Sequence, residues 1–424
     1  MSKNGKLFDS KTDPIPRLRP ELDIIPIENN GESMIYFQDS MGYATNNFAL
    51  DHRVGPLLSM LDGQRSIQDL QPRMGDGVTP DHLLNYVQFL DKHRLLLSAH
   101  FKHHANRVEQ EYESASVHRS TTAGSSYPAN PEELQAFLDK AFSTHEPTQF
   151  KNPAQKPKAL YAPHIDPRVG MQSYVKAFSS IRDLKPNRVV ILATSHYSGM
   201  HPDLYDNKPF IVSNKDFEFP LALLESDKKS INQLLNHQND MGITDSDRAH
   251  RNEHSIELHL LFLSYLWDHN FKIIPILVRS FDELFYMEDG HLATQIKNFG
   301  SFMDNQFGDD EDTLFLVSGD LAHVGKKFGD NQPASNMFSE VKSFDRMFMN
   351  YAEQSDKQKL LQLMQKEIDP YRICGFAPLF TLLSSLPDLQ GTQLSYDLWD
   401  ESERESAVSF GSILYSRQGD NIHF

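Results

Sequence analysis

A single cysteine, Cys374, stands in a chain of 424 residues, so no intrachain disulfide can form and nothing suggests a secreted, cross-linked framework. Positive charge is also short. Forty-one Lys and Arg face 58 Asp and Glu, for a net charge of −17 and a pI near 5.5. No Lys/Arg-rich stripe is available to neutralise phosphates, which argues against a nucleic-acid partner. Long apolar runs are missing too: none approaches the ~20 residues that a membrane span needs. The opening "MSKNGKLFDSKTDP" has no apolar signal region. The expectation is a cytoplasmic protein that engages neither membrane nor nucleic acid.

What is present is enough apolar material for real cores, 39 % of residues with 11 % aromatic, and 19 histidines. The length leaves room for two or three domains, at roughly 100–200 residues each.

Residues 1–103 read as a small α+β unit. "SMIYFQ" (33–38) and "MGYATN" (41–46) have the character of short strands, and "PLLSMLDGQ" (56–64) that of a helix ended by Gly63. Ser66 is placed to cap a following turn. Thr79 and Pro80 open a helix whose stripe is Leu83, Leu84, Val87 and Leu90. A hairpin followed by short helices resembles a winged-helix module of the PqqD-like, peptide-recognition type. Residues 104–128 are polar and poor in aliphatics, and read as a linker. A helix then begins at Asn130-Pro131, and a second polar stretch, 143–158, leads into the larger part of a domain assigned to 129–424.

From residue 158 onward, apolar runs alternate with helical patterns. The runs are "ALYA" (159–162), "RVVILA" (188–193), "PFIVS" (209–213), "FKIIPILV" (271–278), "TLFLVS" (313–318) and "SAVSFGSILYS" (406–416). This predicts an α/β domain with a largely parallel sheet flanked by helices.

Three of these runs end the same way. "ALYAPHID" reaches His164, "VVILATSHY" reaches His196, and "LFLVSGDLAH" reaches Asp320 and His323. Ligands of open α/β sheets bind beyond the carboxyl ends of the strands, so these side chains are placed to converge on one site. In "RAHRNEHSIELHLLFL" (248–263), helical spacing puts His250 and His254 at i, i+4, as it does Glu253 and Glu257; His254 and Glu257 fall at i, i+3. The order is not HExxH, so no zincin protease is read here. Cys374 precedes the helical "GFAPLFTLLSSL", where the helix dipole favours the thiolate. A thiolate with two imidazoles suits iron, copper or zinc.

These segments, in order, resemble the MEMO family, also called AmmeMemoRadiSam system protein B, which is similar in fold to LigB-type class III extradiol dioxygenases. The resemblance runs from about residue 118 to 417. It rests on "AGSSYP", "YAPHID", "ILATSHY", "NEHSIELHLLFL", "FKIIPILV", "LVSGDLAH", "ICGFAP" and "AVSFGSILY". It implies a metal triad of His164, His196 and Cys374, with His323 as acid/base, Asp320 in support, and His254 and Glu257 contributing from the helix start. The chain departs from the family where "AGY" becomes "IDPRVG", adding Asp166 and Arg168, and where "SSD" becomes "SGD".

The resemblance implies a divalent metal, Fe(II) ahead of copper or zinc, and a non-haem oxidoreductase acting on a small-molecule, aromatic or peptide substrate. It also implies radical-SAM system proteins as partners. A non-catalytic peptide- or protein-binding module on the same fold, and a zinc-dependent hydrolase using Asp320 or His323 as base, are the competing expectations.

Overall fold

The computed structural model describes residues 5–29, 31–75, 77–145 and 156–417. The chain divides into two units, Met1–Ser114 and Ala115–Phe424. Most of the polar stretch 143–158 lies outside the described residues.

In the first unit, β1 (Asp23–Asn29), β2 (Glu32–Gln38) and β3 (Phe48–Asp51) form an antiparallel sheet in that order. The strand expected at 41–46 is instead a turn. The Asp39 carboxylate accepts backbone N–H bonds from Met41, Tyr43 and Ala44 at 3.0, 3.0 and 2.7 Å and curls the chain around itself. Ser66 and Asp69 form the expected cap in reciprocal fashion. Thr79 caps the helix Pro80–Lys92, which buries Leu83, Val87 and Leu90.

Residues 104–128 carry regular structure. They continue the helix Ala99–Ser114 and supply β4 (Val117–Arg119), and the division falls after Ser114 rather than at 103. That helix is polar nearly all round, with Phe101 and Glu109 its buried residues, so it carries no apolar stripe to betray it.

The second unit is built on nine strands: β5 (Pro157–Ala162), β6 (Arg188–Thr194), β7 (Phe210–Val212), β10 (Ile243–Thr244), β11 (Lys272–Val278), β12 (Thr313–Ser318), β13 (His323–Gly325), β14 (Leu389–Glu401) and β15 (Ser406–Arg417). Between β7 and β10, β8 (Asp216–Glu218) and β9 (Leu223–Leu224) pair with β4 in a small separate sheet. The main sheet runs β10-β7-β11-β6-β12-β5-β15-β13, with β14 paired to β15. Its centre, β11-β6-β12-β5, is parallel, whereas β15 joins β5, β13 and β14 antiparallel and β7 joins β11 antiparallel.

The continuous apolar runs are explained by cover on both faces. Val190, Leu192, Ile274, Ile276 and Val317 pack with the helices His291–Met303 and Phe376–Ser385. Val189, Ile191, Ile273, Leu277 and Leu316 pack with Pro167–Ser179 and Glu257–Leu266. Each such fully buried aliphatic side chain contributes roughly 1.5–3 kcal/mol of transfer free energy. Among the described residues no helix is long and apolar enough to cross a membrane.

Candidate metal centre

In the register of the parallel centre, Ser318 lies opposite both Ala162 of β5 and Ala193 of β6, so three strands end side by side. The chain leaves them at Pro163-His164, at Ser195-His196 and at Gly319-Asp320. Cys374 arrives from elsewhere, just before the helix Phe376–Ser385 that covers this end of the sheet. It is seated by two glycines. A Cβ on Gly319 would lie 2.2 Å from the Gly375 Cα, and one on Gly375 would lie 2.3 Å from the Tyr161 hydroxyl, so neither residue tolerates a side chain. Gly375 N–H donates to the Asp320 carbonyl (2.9 Å), and Asp320 N–H donates to Cys374 Sγ (3.3 Å).

One ligand atom each from His164, His196 and Cys374 lies within 4.8 Å of the others. Cys374 Sγ is 3.5 Å from His164 Nε2. A metal held at about 2.1 Å from nitrogen and 2.3 Å from sulfur in tetrahedral array places them about 3.6 Å apart. The donor set therefore fits a metal ion.

The neighbours also decide which nitrogen each imidazole presents. Ser318 Oγ donates to the Ser255 carbonyl (2.6 Å), so toward His164 Nδ1, at 3.1 Å, it accepts. His164 thus carries its proton on Nδ1 and points the Nε2 lone pair at Cys374. His196 Nδ1 lies 2.8 Å from Glu253 Oε1, and His196 N–H donates to Glu253 Oε2, also at 2.8 Å. Both histidines therefore hold Nε2 toward the centre, oriented from behind as metal-ligating histidines are. Glu253 is itself fixed by the backbone N–H groups of His254 and Ser255 (both 3.1 Å).

Charge is distributed unevenly. Burial and the neighbouring imidazoles hold His164 well below the usual histidine range. Burial opposes a proton on His196, but the Glu253 carboxylate and Cys374 together hold His196 well above that range. Burial would raise Glu253, yet His196 brings it down to about 2. Burial pushes the Cys374 thiol up against the pull of His196.

Asp320 Oδ1 accepts from the backbone N–H groups of His164 and Ile165 (3.0 and 3.2 Å), and Oδ2 sits 3.7 Å from His164 Nε2. Burial pushes its carboxyl up to about 7. His323 Nδ1 donates to the Leu321 and Arg372 carbonyls (3.0 and 3.1 Å), leaving Nε2 with the lone pair; burial, then the charge on His196, brings it down to about 4.

His254 joins the cluster, though not from a helix. The helix begins at Glu257, so the i, i+4 relation of His250 and His254 does not exist. The His254 ring stacks on His196 at 5.0 Å and meets His164 edge-on at 5.4 Å, and His196, Glu253 and His254 form a second close group of possible ligand atoms.

Glu257 does not join this cluster. It is fully buried and accepts from the backbone N–H and hydroxyl of both Thr121 and Thr122 and from the Tyr127 hydroxyl, at 2.5–3.0 Å. It ties residues 121–127 to the helix. Glu253, one turn earlier in a helical reading, is the carboxylate that meets His196. His259 is a second residue not singled out from sequence; its Nε2–H donates to the Pro163 carbonyl (2.8 Å), next to His164. Asp166 and Arg168 pair with each other at 2.6 Å.

A cavity of about 270 Å³ opens on the centre. His196 and Cys374 line it, with Thr194, Ser195, Arg279 and Phe376 among its other walls.

Residues 118–414 match the family described as Memo-like protein. A MEMO1 family protein of Aquifex aeolicus is 28% identical over 406 residues, covering 94% of this chain and 100% of that protein. Its alignment is long enough to take in most of the first unit. Protein MEMO1 of Mus musculus is 26% identical over 311 residues, covering 71% of this chain and 96% of that protein. A MEMO1 family protein of Thermus thermophilus is 24% identical over 356 residues, 82% of this chain and 99% of that protein.

Proposed function

The chain belongs to the Memo-like protein family, and from that premise we propose that it is a metal-dependent oxidoreductase, holding Fe(II) on His164, His196 and Cys374. The observation that carries the reading is the pairing of three protein ligand atoms with an open side. The cavity reaches His196 and Cys374 directly, and sites that keep a position free for substrate are catalytic rather than structural. When bound, a non-haem iron ion supplies one-electron and oxygen chemistry.

The protein's own contribution is proton management and orientation. His323 is neutral at physiological pH, with Nε2 as its lone-pair nitrogen, and is the imidazole assigned to acid/base work. Asp320, near neutrality in its own titration, holds the His164 loop through two backbone N–H groups. Glu253 fixes His196 and balances its charge. His254, stacked on His196, completes the polar wall.

The test is metal analysis of protein purified without oxygen, beside Cys374→Ser and His164→Ala. About one iron per chain, lost in both variants while far-UV circular dichroism is unchanged, supports the reading. Zinc lost in the same way favours the hydrolase. A chain that retains and accepts no metal abandons the proposal for a non-catalytic binding module.

A further inference from the structure

Asp282 and Phe285 line the cavity from one segment of the chain and Asp369 from another. Gln365 ties the two segments together, its Nε2 donating to the Leu284 carbonyl (3.2 Å) and to Glu288 Oε1 (2.8 Å). The residues next in sequence to these lining groups are apolar and face water. Tyr286 is 73% exposed, Met287 52% and Ile368 50%. Tyr and Met are side chains that protein surfaces concentrate where they meet a partner.

The same segments are acidic. Within 281–289 and 366–369, six carboxyl groups, Asp282, Glu283, Glu288, Asp289, Glu367 and Asp369, stand against one base, Lys366. The two arginines of the cavity are committed elsewhere. Arg372 pairs with Asp330 at 2.5 Å, and Arg279 donates to the Tyr205 carbonyl beside the Asp206 charge. Asp282 accepts from the Ser280 hydroxyl and Asp369 from the Ile373 N–H (3.0 Å), but among the described residues neither forms an ion pair. Burial, and then the charge of Asp282, push the Asp369 carboxyl up, as for carboxyls that share a site without a cation.

We infer that this surface docks a basic, apolar stretch of polypeptide. Its apolar side chains lie over Tyr286, Met287 and Ile368, and a Lys or Arg side chain enters the cavity toward Asp282 and Asp369. The inference rests on the reading of the metal centre, because the same cavity reaches His196 and Cys374, and it makes the substrate a peptide. Complementary charge selects the partner: the carboxylates attract a basic segment and repel an acidic one. The cavity volume equals that of about nine waters at ~30 Å³ each, which suits one long side chain with the rest of the peptide outside.

The experiment uses metal-free full-length protein and fluorescence anisotropy with a labelled peptide, Gly-Leu-Lys-Phe-Gly, blocked at both ends. The comparison peptides carry norleucine or Glu in place of Lys, or Ser in place of both Leu and Phe. Spermidine serves as a competitor with charge but no apolar side chain. The Lys peptide is expected to bind about tenfold more tightly than the norleucine peptide, as loss of one charge-assisted hydrogen bond predicts, and more tightly than the Ser peptide. Asp282→Asn erases the preference for Lys, and Tyr286→Ser erases the preference for Leu and Phe. Glu132→Gln, at an exposed acid on the helix Pro131–Thr144, changes neither. No saturable binding, equal affinity for the Lys and norleucine peptides, or tighter binding of the Glu peptide overturns the inference. So does displacement by spermidine as effective as by unlabelled peptide, or an effect of Glu132→Gln equal to that of Asp282→Asn, since either means general attraction to an acidic chain. A Tyr286→Ser variant that changes the oligomeric state in sedimentation but not the peptide affinity gives this surface to a second copy, and overturns it too. A metal titration of the same samples separates the two readings. Selective peptide binding without any metal uptake sinks the metal centre alone, and metal uptake without peptide selectivity sinks this inference alone.

Discussion

The Glu253 carboxylate accepts both the ring N–H and the backbone N–H of His196, each at 2.8 Å. It therefore sets the position, the tautomer and the charge of one proposed metal ligand at once.

Glu253→Gln removes the charge while keeping the shape. The variant is expected to fold but to bind metal about 10–100-fold more weakly, the usual penalty for losing the partner behind a ligating histidine. Competition with a chromophoric chelator measures this directly. An affinity equal to the wild type would mean that Glu253 is only structural.

Metal binding is expected to strengthen as pH rises. His196 is held above the ordinary histidine pKa of ~6.5 and Cys374 above its ordinary thiol value, so each gives up a proton to the ion. Titrations in buffers of different ionisation enthalpy should show proton release at neutral pH that declines as the pH rises past the raised His196 and Cys374 values. No proton release would contradict the charge state assigned to this pair.

Asp320 makes the opposite kind of prediction for the metal-free protein. Its folded pKa, about 7, lies above the unfolded value of ~3.9. Between those values the folded form keeps a proton that the unfolded form releases. The stability that this group lends is complete below the unfolded pKa and fades as pH rises to about 7. Replacing it by Asn removes the dependence, so Tm of Asp320→Asn should gain on the wild type between pH 4 and 7. Parallel Tm profiles would show that Asp320 is ionised across that range.

Glu257→Ala removes the acceptor of the buried Tyr127 hydroxyl and of the partly buried backbone N–H groups of Thr121 and Thr122. The loss should be about 1–3 kcal/mol in chemical denaturation, as for other buried donors left without a partner. Metal stoichiometry of the folded fraction should not change. A variant that keeps its stability but loses the metal would return Glu257 to the site.

Gly319→Ala drives a Cβ into Gly375, and moving either segment shifts Cys374. The cost should be roughly 1–3 kcal/mol, as for other overpacked interiors. Metal affinity should drop alongside it, read by the same chelator competition. The Ser to Gly departure from the family pattern at this position is thus a packing feature, with no room for the missing hydroxyl.

Much of the centre was legible because a parallel sheet covered on both faces leaves a plain trace. Its strands are short continuous apolar runs, and polar residues just past their ends stand out, as His164, His196, Asp320 and His323 do. Cys374 was legible as the single thiol. The helix Ala99–Ser114 was hidden because periodicity reports burial, and so little of that helix is buried. Glu253 was passed over for Glu257 because helical spacing was extended backward over residues 250–256, where the chain has not yet become the long helix. β14 was missed for a related reason: its residues alternate between exposed and half-buried, with only a few fully inside. Hydroxyl partners such as Ser318 and Ser255 leave no signal in a single sequence, since serine at a strand end has many uses.

The first and last members of the triad stand 210 residues apart along the chain. A ribosome translating this protein displays His164 and His196 long before Cys374, so an emerging chain offers two imidazoles and no thiolate. The complete donor set comes into being only after nearly all of the sheet has been synthesised. Only β14 and β15 are still to come, and β15 is the strand that borders β5. Any ion held by all three residues is therefore acquired late, by a chain that has almost finished folding around the place where it sits.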